Sequence, residues 1–235
     1  MIKAIIFDFG QTLVNSANGF RLAEKQAETR IFQDLELGSW SDFLTDYRRL
    51  RKDFHTKSNF SRQDLWQAVY RYYDREPNAA LISKAEGDYW DTVKSNTRPF
   101  PETKAALEQL VSEYRLALIT NTQGQVTLGS HRISLFPGLA NLFDVVIVAG
   151  EAGVPPKPNR APFLLCLEKL GIAPTEAIFV GDDWRIDICG AKEVGIHPVW
   201  LKHHSVSRKW PEVETSVPVI INLEQLADWI GENWK

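Results

Sequence analysis

"AIFVGDDWRIDICGAKEVG", residues 177–195, runs an apolar segment into Gly181 and then delivers three carboxylates, Asp182, Asp183 and Asp187. Near-continuous hydrophobicity, rather than strict alternation, is what a strand needs when helices cover both faces of its sheet. Clustered carboxylates at the end of such a strand are hard oxygen ligands of the kind Mg2+ favours, and they repel one another unless a cation or donors compensate. The stretch predicts a buried parallel strand with an acidic, metal-holding loop at its carboxyl end.

The same rhythm recurs on either side. Apolar runs stand at 3–7 (KAIIF), 115–119 (RLALI), 144–148 (DVVIV), 198–201 (PVWL) and 218–221 (PVII), with helical segments between them. "PETKAALEQLVSEY" at 101–114 sets Ala106, Leu107, Leu110 and Val111 at helical spacing behind Pro101, "NRAPFLLCLEKLG" at 159–171 ends on a glycine suited to a left-handed cap, and "LEQLADWI" at 223–230 is amphipathic. Strands alternating with helices through short links predict an α/β fold with a doubly wound, Rossmann-like parallel sheet.

One region breaks this alternation. Residues 16–96 contain no convincing strand but do contain helical signals, such as Ser61 capping "SRQDLWQAVYRYY" with Asp64 three residues on. They predict a helical domain of 16–96 inserted after the first strand of an α/β core made of 1–15 and 97–235. The insertion holds 13 of the chain's 26 aromatic residues, enough for a small core of its own. Its basic run at 47–57 is offset by an equal count of 13 acidic and 13 basic residues across the insertion, so a solvated helix face is expected there.

Composition narrows the function. With 235 residues, 44% hydrophobic, and a formal charge of -3, the chain is a globular protein without the basic field that nucleic acid requires. No apolar run approaches the length of a membrane span, so no membrane partner is expected. The near balance of charge makes a small molecule the expected partner, while Cys166 and Cys189 lack a C-x-x-C spacing and read as buried, inert thiols of a reducing compartment, which points to the cytoplasm. Oligomeric state is not encoded in any recognisable pattern.

Further polar residues fall where open α/β sheets bind ligands, beyond the carboxyl ends of the strands. Asp8 follows the first strand. Thr120 and Asn121 end the second and offer a hydroxyl and an amide to anionic oxygens, and Lys157 lies between two prolines that stiffen its backbone.

In order and context these four segments resemble the haloacid dehalogenase superfamily over 1–15 and about 97–235, with 16–96 similar to that family's helical cap. The resemblance implies a Mg2+-dependent phosphohydrolase acting on a small phosphorylated metabolite, in which Asp8 is the nucleophile that forms an aspartyl-phosphate. It makes Thr120 the phosphate-oxygen donor, assisted by Asn121, and Lys157 the residue offsetting negative charge. It makes Asp8, Asp182 and the main-chain carbonyl of Gly10 the metal ligands, with Asp183 and Asp187 orienting the metal's waters.

Gly10 departs from the family pattern, which usually has an aspartate there to protonate the leaving alcohol and then activate water. Loss of such an acid costs about 10²–10⁴-fold, roughly 3–5 kcal/mol of barrier, mainly on poor leaving groups. Two alternatives follow: a weak or inactive phosphate-ligand binder, or a carbon-centred hydrolase of the phosphonatase or dehalogenase type. The phosphonatase reading would need a cap lysine, from among Lys25, Lys52, Lys57, Lys84 and Lys94, and the acidic cluster argues against the metal-free dehalogenases.

Overall fold

The computed structural model describes residues 1–57, 59–122 and 131–234. In chain order its main elements are β1 (Ala4–Phe7), β2 (Val14–Asn15), α1 (Ala17–Asp34), α2 (Trp40–Thr56), α3 (Arg62–Tyr72), α4 (Ala79–Ser95), β3 (Arg98–Pro99) and α5 (Thr103–Leu110). They continue with β4 (Arg115–Asn121), α6 (Pro137–Ala140), β5 (Val145–Ala149), α7 (Arg160–Leu170), β6 (Ala177–Gly181), α8 (Cys189–Glu193), β7 (His197–Leu201), β8 (Val219–Ile220) and α9 (Glu224–Asn233).

Six strands form one sheet in the order β5-β4-β1-β6-β7-β8, every neighbouring pair parallel. Alternate residues of each strand serve opposite faces, as the pleat requires. Ile5, Phe7, Leu116, Leu118, Ile178 and Val180 pack with Leu107 and Leu110 of α5 and Leu226 and Ile230 of α9. Ala4, Ile6, Ala117, Ile119, Ala177 and Phe179 pack with Phe163, Cys166 and Leu167 of α7 and Ala191 of α8. Burial on both faces explains why these strands read as unbroken apolar runs, and the architecture is the expected doubly wound α/β fold. From β1 the chain winds outward to β4 and β5 in one direction and to β6, β7 and β8 in the other. The carboxyl ends of β1, β4 and β6 therefore meet at a topological switch point, where ligands bind in such sheets.

The chain divides into two compact units, residues 1–15 with 98–122 and 131–235, and a second unit containing 16–97. A short antiparallel pair, β2 with β3, brackets that second segment. Within it, α1 to α4 enclose Phe43, Tyr47, Trp66, Tyr70, Tyr89 and Trp90, while Trp40 and Tyr72 are exposed. Ser61 caps α3 by accepting from the Asp64 amide at 3.1 Å. Buried Glu24 accepts from Tyr47 (2.9 Å) and Tyr89 (3.1 Å) and pairs with Arg51 at 3.0 Å, so the basic run on α2 is not purely a solvated face.

Two local expectations are corrected. Val111 lies beyond the end of α5 and is exposed, because the helix stops at Leu110. Cys189 is exposed at the start of α8, whereas Cys166 is buried among apolar side chains that push its thiol up to about 12. Among the described residues, no helix is long and apolar enough to cross a membrane.

Candidate active site

Asp8 leaves β1 with its amide bonded to the Val180 carbonyl of β6 at 2.9 Å, which fixes the carboxylate at the seam of the two strands. Lys157 reaches the same point from the loop before α7. Its ammonium donates to Oδ1 of Asp8 (2.8 Å), Oδ1 of Asp187 (2.7 Å) and the Ile119 carbonyl (2.8 Å), using all three of its donors. The side chain is 1% exposed. Burial alone would push this amine down, but the Asp187 and Asp8 carboxylates lift it above its ordinary value, so it stays a cation.

Both ends of the Asn121 amide are engaged by the main chain of Lys157. Its Oδ1 accepts from the Lys157 amide at 2.7 Å and its Nδ2 donates to the Lys157 carbonyl at 3.0 Å, so it grips the lysine's main chain and sets where the ammonium can reach. Thr120 is buried and its Oγ1 lies 3.2 Å from Nε2 of His131. Nδ1 of His131 accepts from the Ile133 amide at 3.2 Å, which assigns the ring proton to Nε2 and makes that nitrogen the donor to Thr120. Burial, with Arg132 and Lys157 nearby, drives this imidazole down to about 3, so it is neutral. Thr120 accepts from the ring and keeps its own hydroxyl hydrogen to give to a ligand oxygen.

The acidic loop turns through a π-helical segment, Trp184–Ile188. Asp183 caps it, Oδ1 accepting from the Ile186 amide at 2.9 Å, while the Asp183 amide donates to Oδ2 of Asp187 at 3.0 Å. This wide turn carries Asp187 inward. Asp8, Asp182 and Asp187 each offer a carboxylate oxygen within 4.8 Å of the others, and all three residues are buried. Gly181 makes that approach possible, since a Cβ there would stand 2.5 Å from the Cβ of Asp187. Burial pushes Asp187 up to about 7, with repulsion from Asp8 adding to it and the Lys157 ammonium opposing it. Burial and the Asp8 and Asp187 charges likewise raise Asp182 well above the usual range. The donor set is all oxygen, buried and mutually repelling, which fits a hard divalent cation.

Three site residues carried no sequence signal. Arg208, from the loop after β7, pairs with Oδ2 of Asp182 and lies 3.7 Å from Oδ2 of Asp183, its guanidinium resting over Trp210. His131 and Arg132 open a 3-10 turn, Arg132–Leu135, far in sequence from the residues they adjoin. After β1, Gln11 holds a left-handed φ of 61°, and Gln11 Oε1 and Thr12 Oγ1 are buried without a hydrogen-bond partner among the described residues. Gly10 is half-buried and bridged to Val14. Of the insertion's lysines, Lys25, Lys52, Lys57 and Lys84 are exposed and Lys94 is half-buried.

Residues 2–195 match the family model of the haloacid dehalogenase-like hydrolases. The glyceraldehyde 3-phosphate phosphatase of Methanopyrus kandleri is 30% identical over 223 residues, 93% of this chain and 91% of that protein. The phosphoglycolate phosphatase of Yersinia pseudotuberculosis is 36% identical over 211 residues, covering 86% and 82%. Among solved structures, a HAD phosphatase from Thermococcus onnurineus superposes with a TM-score of 0.68 at 25% identity over 98% of each chain. A 2-haloacid dehalogenase from Pseudomonas syringae shares the fold, with a TM-score of 0.69 at 24% identity over 99% of each chain.

Proposed function

Because this chain belongs to the haloacid dehalogenase-like hydrolases, we propose that it is a Mg2+-dependent phosphatase of a small phosphorylated metabolite, working through an aspartyl-phosphate on Asp8. The observation that carries this reading is the Lys157 ammonium bridging Asp8 and Asp187 at 2.8 and 2.7 Å beside Asp182. A carboxylate oriented by a buried cation at a strand-end crevice is a nucleophile held for attack on an electrophilic centre that itself carries negative charge. The phosphatase names of the relatives support phosphorus as that centre.

In this reading an Asp8 oxygen attacks phosphorus and the bond to the leaving group breaks, its electron pair departing with the leaving oxygen. Lys157 offsets charge on the nucleophile, and the Thr120 hydroxyl donates to a phosphoryl oxygen, held for that task by His131. Asn121 serves by fixing Lys157. Asp8, Asp182 and the Gly10 carbonyl are the oxygens that would hold Mg2+; Asp187, expected to orient the metal's waters, lies close enough to join them, and Asp183 stands behind as the turn's cap. When bound, the cation neutralises the phosphoryl oxygens and relieves the crowding of the acids. Water then attacks phosphorus, the Asp8–phosphorus bond breaks back to the carboxylate, and the released phosphate keeps the water's oxygen and protons. Substrate selection is assigned to the helical unit of 16–97.

Gly10 favours one second reading, a phosphate-ligand binder with little turnover. A panel of phosphate esters and anhydrides assayed with Mg2+, with Asp8→Asn as the blank, separates the two. Turnover lost in Asp8→Asn and on chelation with EDTA supports the phosphatase; Mg2+-dependent binding without turnover supports the binder.

A further inference from the structure

A Cβ built on Gly10 meets one neighbour within 4 Å, Nη2 of Arg132 at 3.5 Å. Arg132 is 2% exposed, and its guanidinium carbon lies 5.4 Å from the centroid of the Phe9 ring. Phe9 is itself fixed, packing against His131 at 5.1 Å and Phe136 at 6.3 Å between ring centroids. The cation is thus held over a buried ring and stands beside Gly10, the position at which the family resemblance implies an acidic side chain. A guanidinium keeps its protons throughout the working pH range, so it cannot act as a general acid. It can stabilise negative charge that develops beside it in a site shielded from water.

We infer that Arg132 takes the place of the absent acid by pairing with the departing oxygen as an anion, and that the substrates are acyl phosphates or phosphoanhydrides rather than alkyl phosphates. This rests on the phosphatase reading and adds the leaving-group chemistry to it. Asp8 attacks phosphorus, the phosphorus–oxygen bond breaks, and the electron pair leaves on a carboxylate or phosphate oxygen that needs no proton. Arg132 offsets that charge, where an alkoxide would require a proton that no residue at position 10 supplies. The specificity so assigned differs from the substrates named for the relatives, both of which are esters of alcohols.

The test uses the full chain with Mg2+ and compares wild type, Arg132→Gln, Arg132→Met and Arg132→Lys on acetyl phosphate, glycerol 2-phosphate and a series of substituted phenyl phosphates. Wild type should turn over acetyl phosphate and leave glycerol 2-phosphate nearly untouched. Either neutral variant should lose about 10²–10³-fold in kcat on acetyl phosphate. The dependence of log kcat/KM on leaving-group pKa should steepen in both neutral variants and return towards wild type in Arg132→Lys. An equal loss on every substrate with unchanged slope, or efficient wild-type cleavage of glycerol 2-phosphate, overturns the inference and leaves the phosphatase reading standing. A wild type as inert as Asp8→Asn on all of them overturns both.

Discussion

The Lys157 ammonium lies 2.8 Å from Oδ1 of Asp8 and, through the same nitrogen, 2.7 Å from Oδ1 of Asp187. One buried cation therefore ties the end of β1 to the turn after β6 and compensates two acids that have no other escape from each other. Replacing it by Lys157→Met strips that compensation from buried carboxylates, and the expected cost is about 3–5 kcal/mol. Urea unfolding measures it. Mg2+ should recover part of the loss in the variant, and an unchanged midpoint without metal would show that the tether does not stabilise the fold.

At the proposed metal site, pH acts through Asp187, pushed up to about 7 mainly by burial. Folding favours its protonated form, so in metal-free protein its stabilising contribution is full below the ordinary carboxylate range and is lost as pH rises through about 7. A cation competes with that proton. The rise in Tm produced by a fixed Mg2+ concentration should grow between pH 6 and 8 and level off above. His131, held down at about 3, gives metal-free stability the opposite slope at acid pH, and the difference between scans with and without Mg2+ removes it.

Arg208 shares Asp182 with any cation that binds there. Arg208→Gln removes a positive charge from beside the site and should tighten Mg2+ binding by about tenfold, well within the ~4 kcal/mol that two unit charges exert at 4 Å through an effective dielectric of 20. Isothermal titration reads this directly. Weaker binding in the variant would mean that the arginine assembles the site instead of competing for it.

On the proposed reading, an acid placed at position 10 should not by itself restore alkyl-phosphate cleavage. The new carboxylate of Gly10→Asp would stand beside Nη2 of Arg132 and be held as its ion pair, not as a protonated acid. The gain on alkyl phosphates should stay below about 3-fold, short of the roughly 10²–10⁴ that a working general acid contributes. Adding Arg132→Gln to Gly10→Asp should release the larger gain, and steady-state kinetics of the single and double variants decide it.

The sheet was legible because its strands are buried on both faces and leave unbroken apolar runs, as at 177–181 and 115–119. The placement of polar residues at strand ends was legible too, since Asp8 follows β1 directly and Thr120 lies at the end of β4. The β2–β3 pair was not, because two-residue strands have no period and their partners lie on either side of the whole helical insertion. Asp183 and Asp187 are indistinguishable as residue types; only the wide π-helical turn and the bare Cα of Gly181 bring Asp187 to Lys157 and leave Asp183 as a cap. His131, Arg132 and Arg208 come from irregular segments, and what they touch is set by tertiary packing that no local spacing records.

The most direct test is to catch the covalent intermediate. Acid-quenching the protein during turnover of acetyl phosphate with Mg2+, followed by peptide mass spectrometry, should find a single phosphoryl group on Asp8 that is absent from Asp8→Asn and from EDTA-treated protein. Turnover that persists in Asp8→Asn, or a phosphoryl group carried on another residue, would contradict the account.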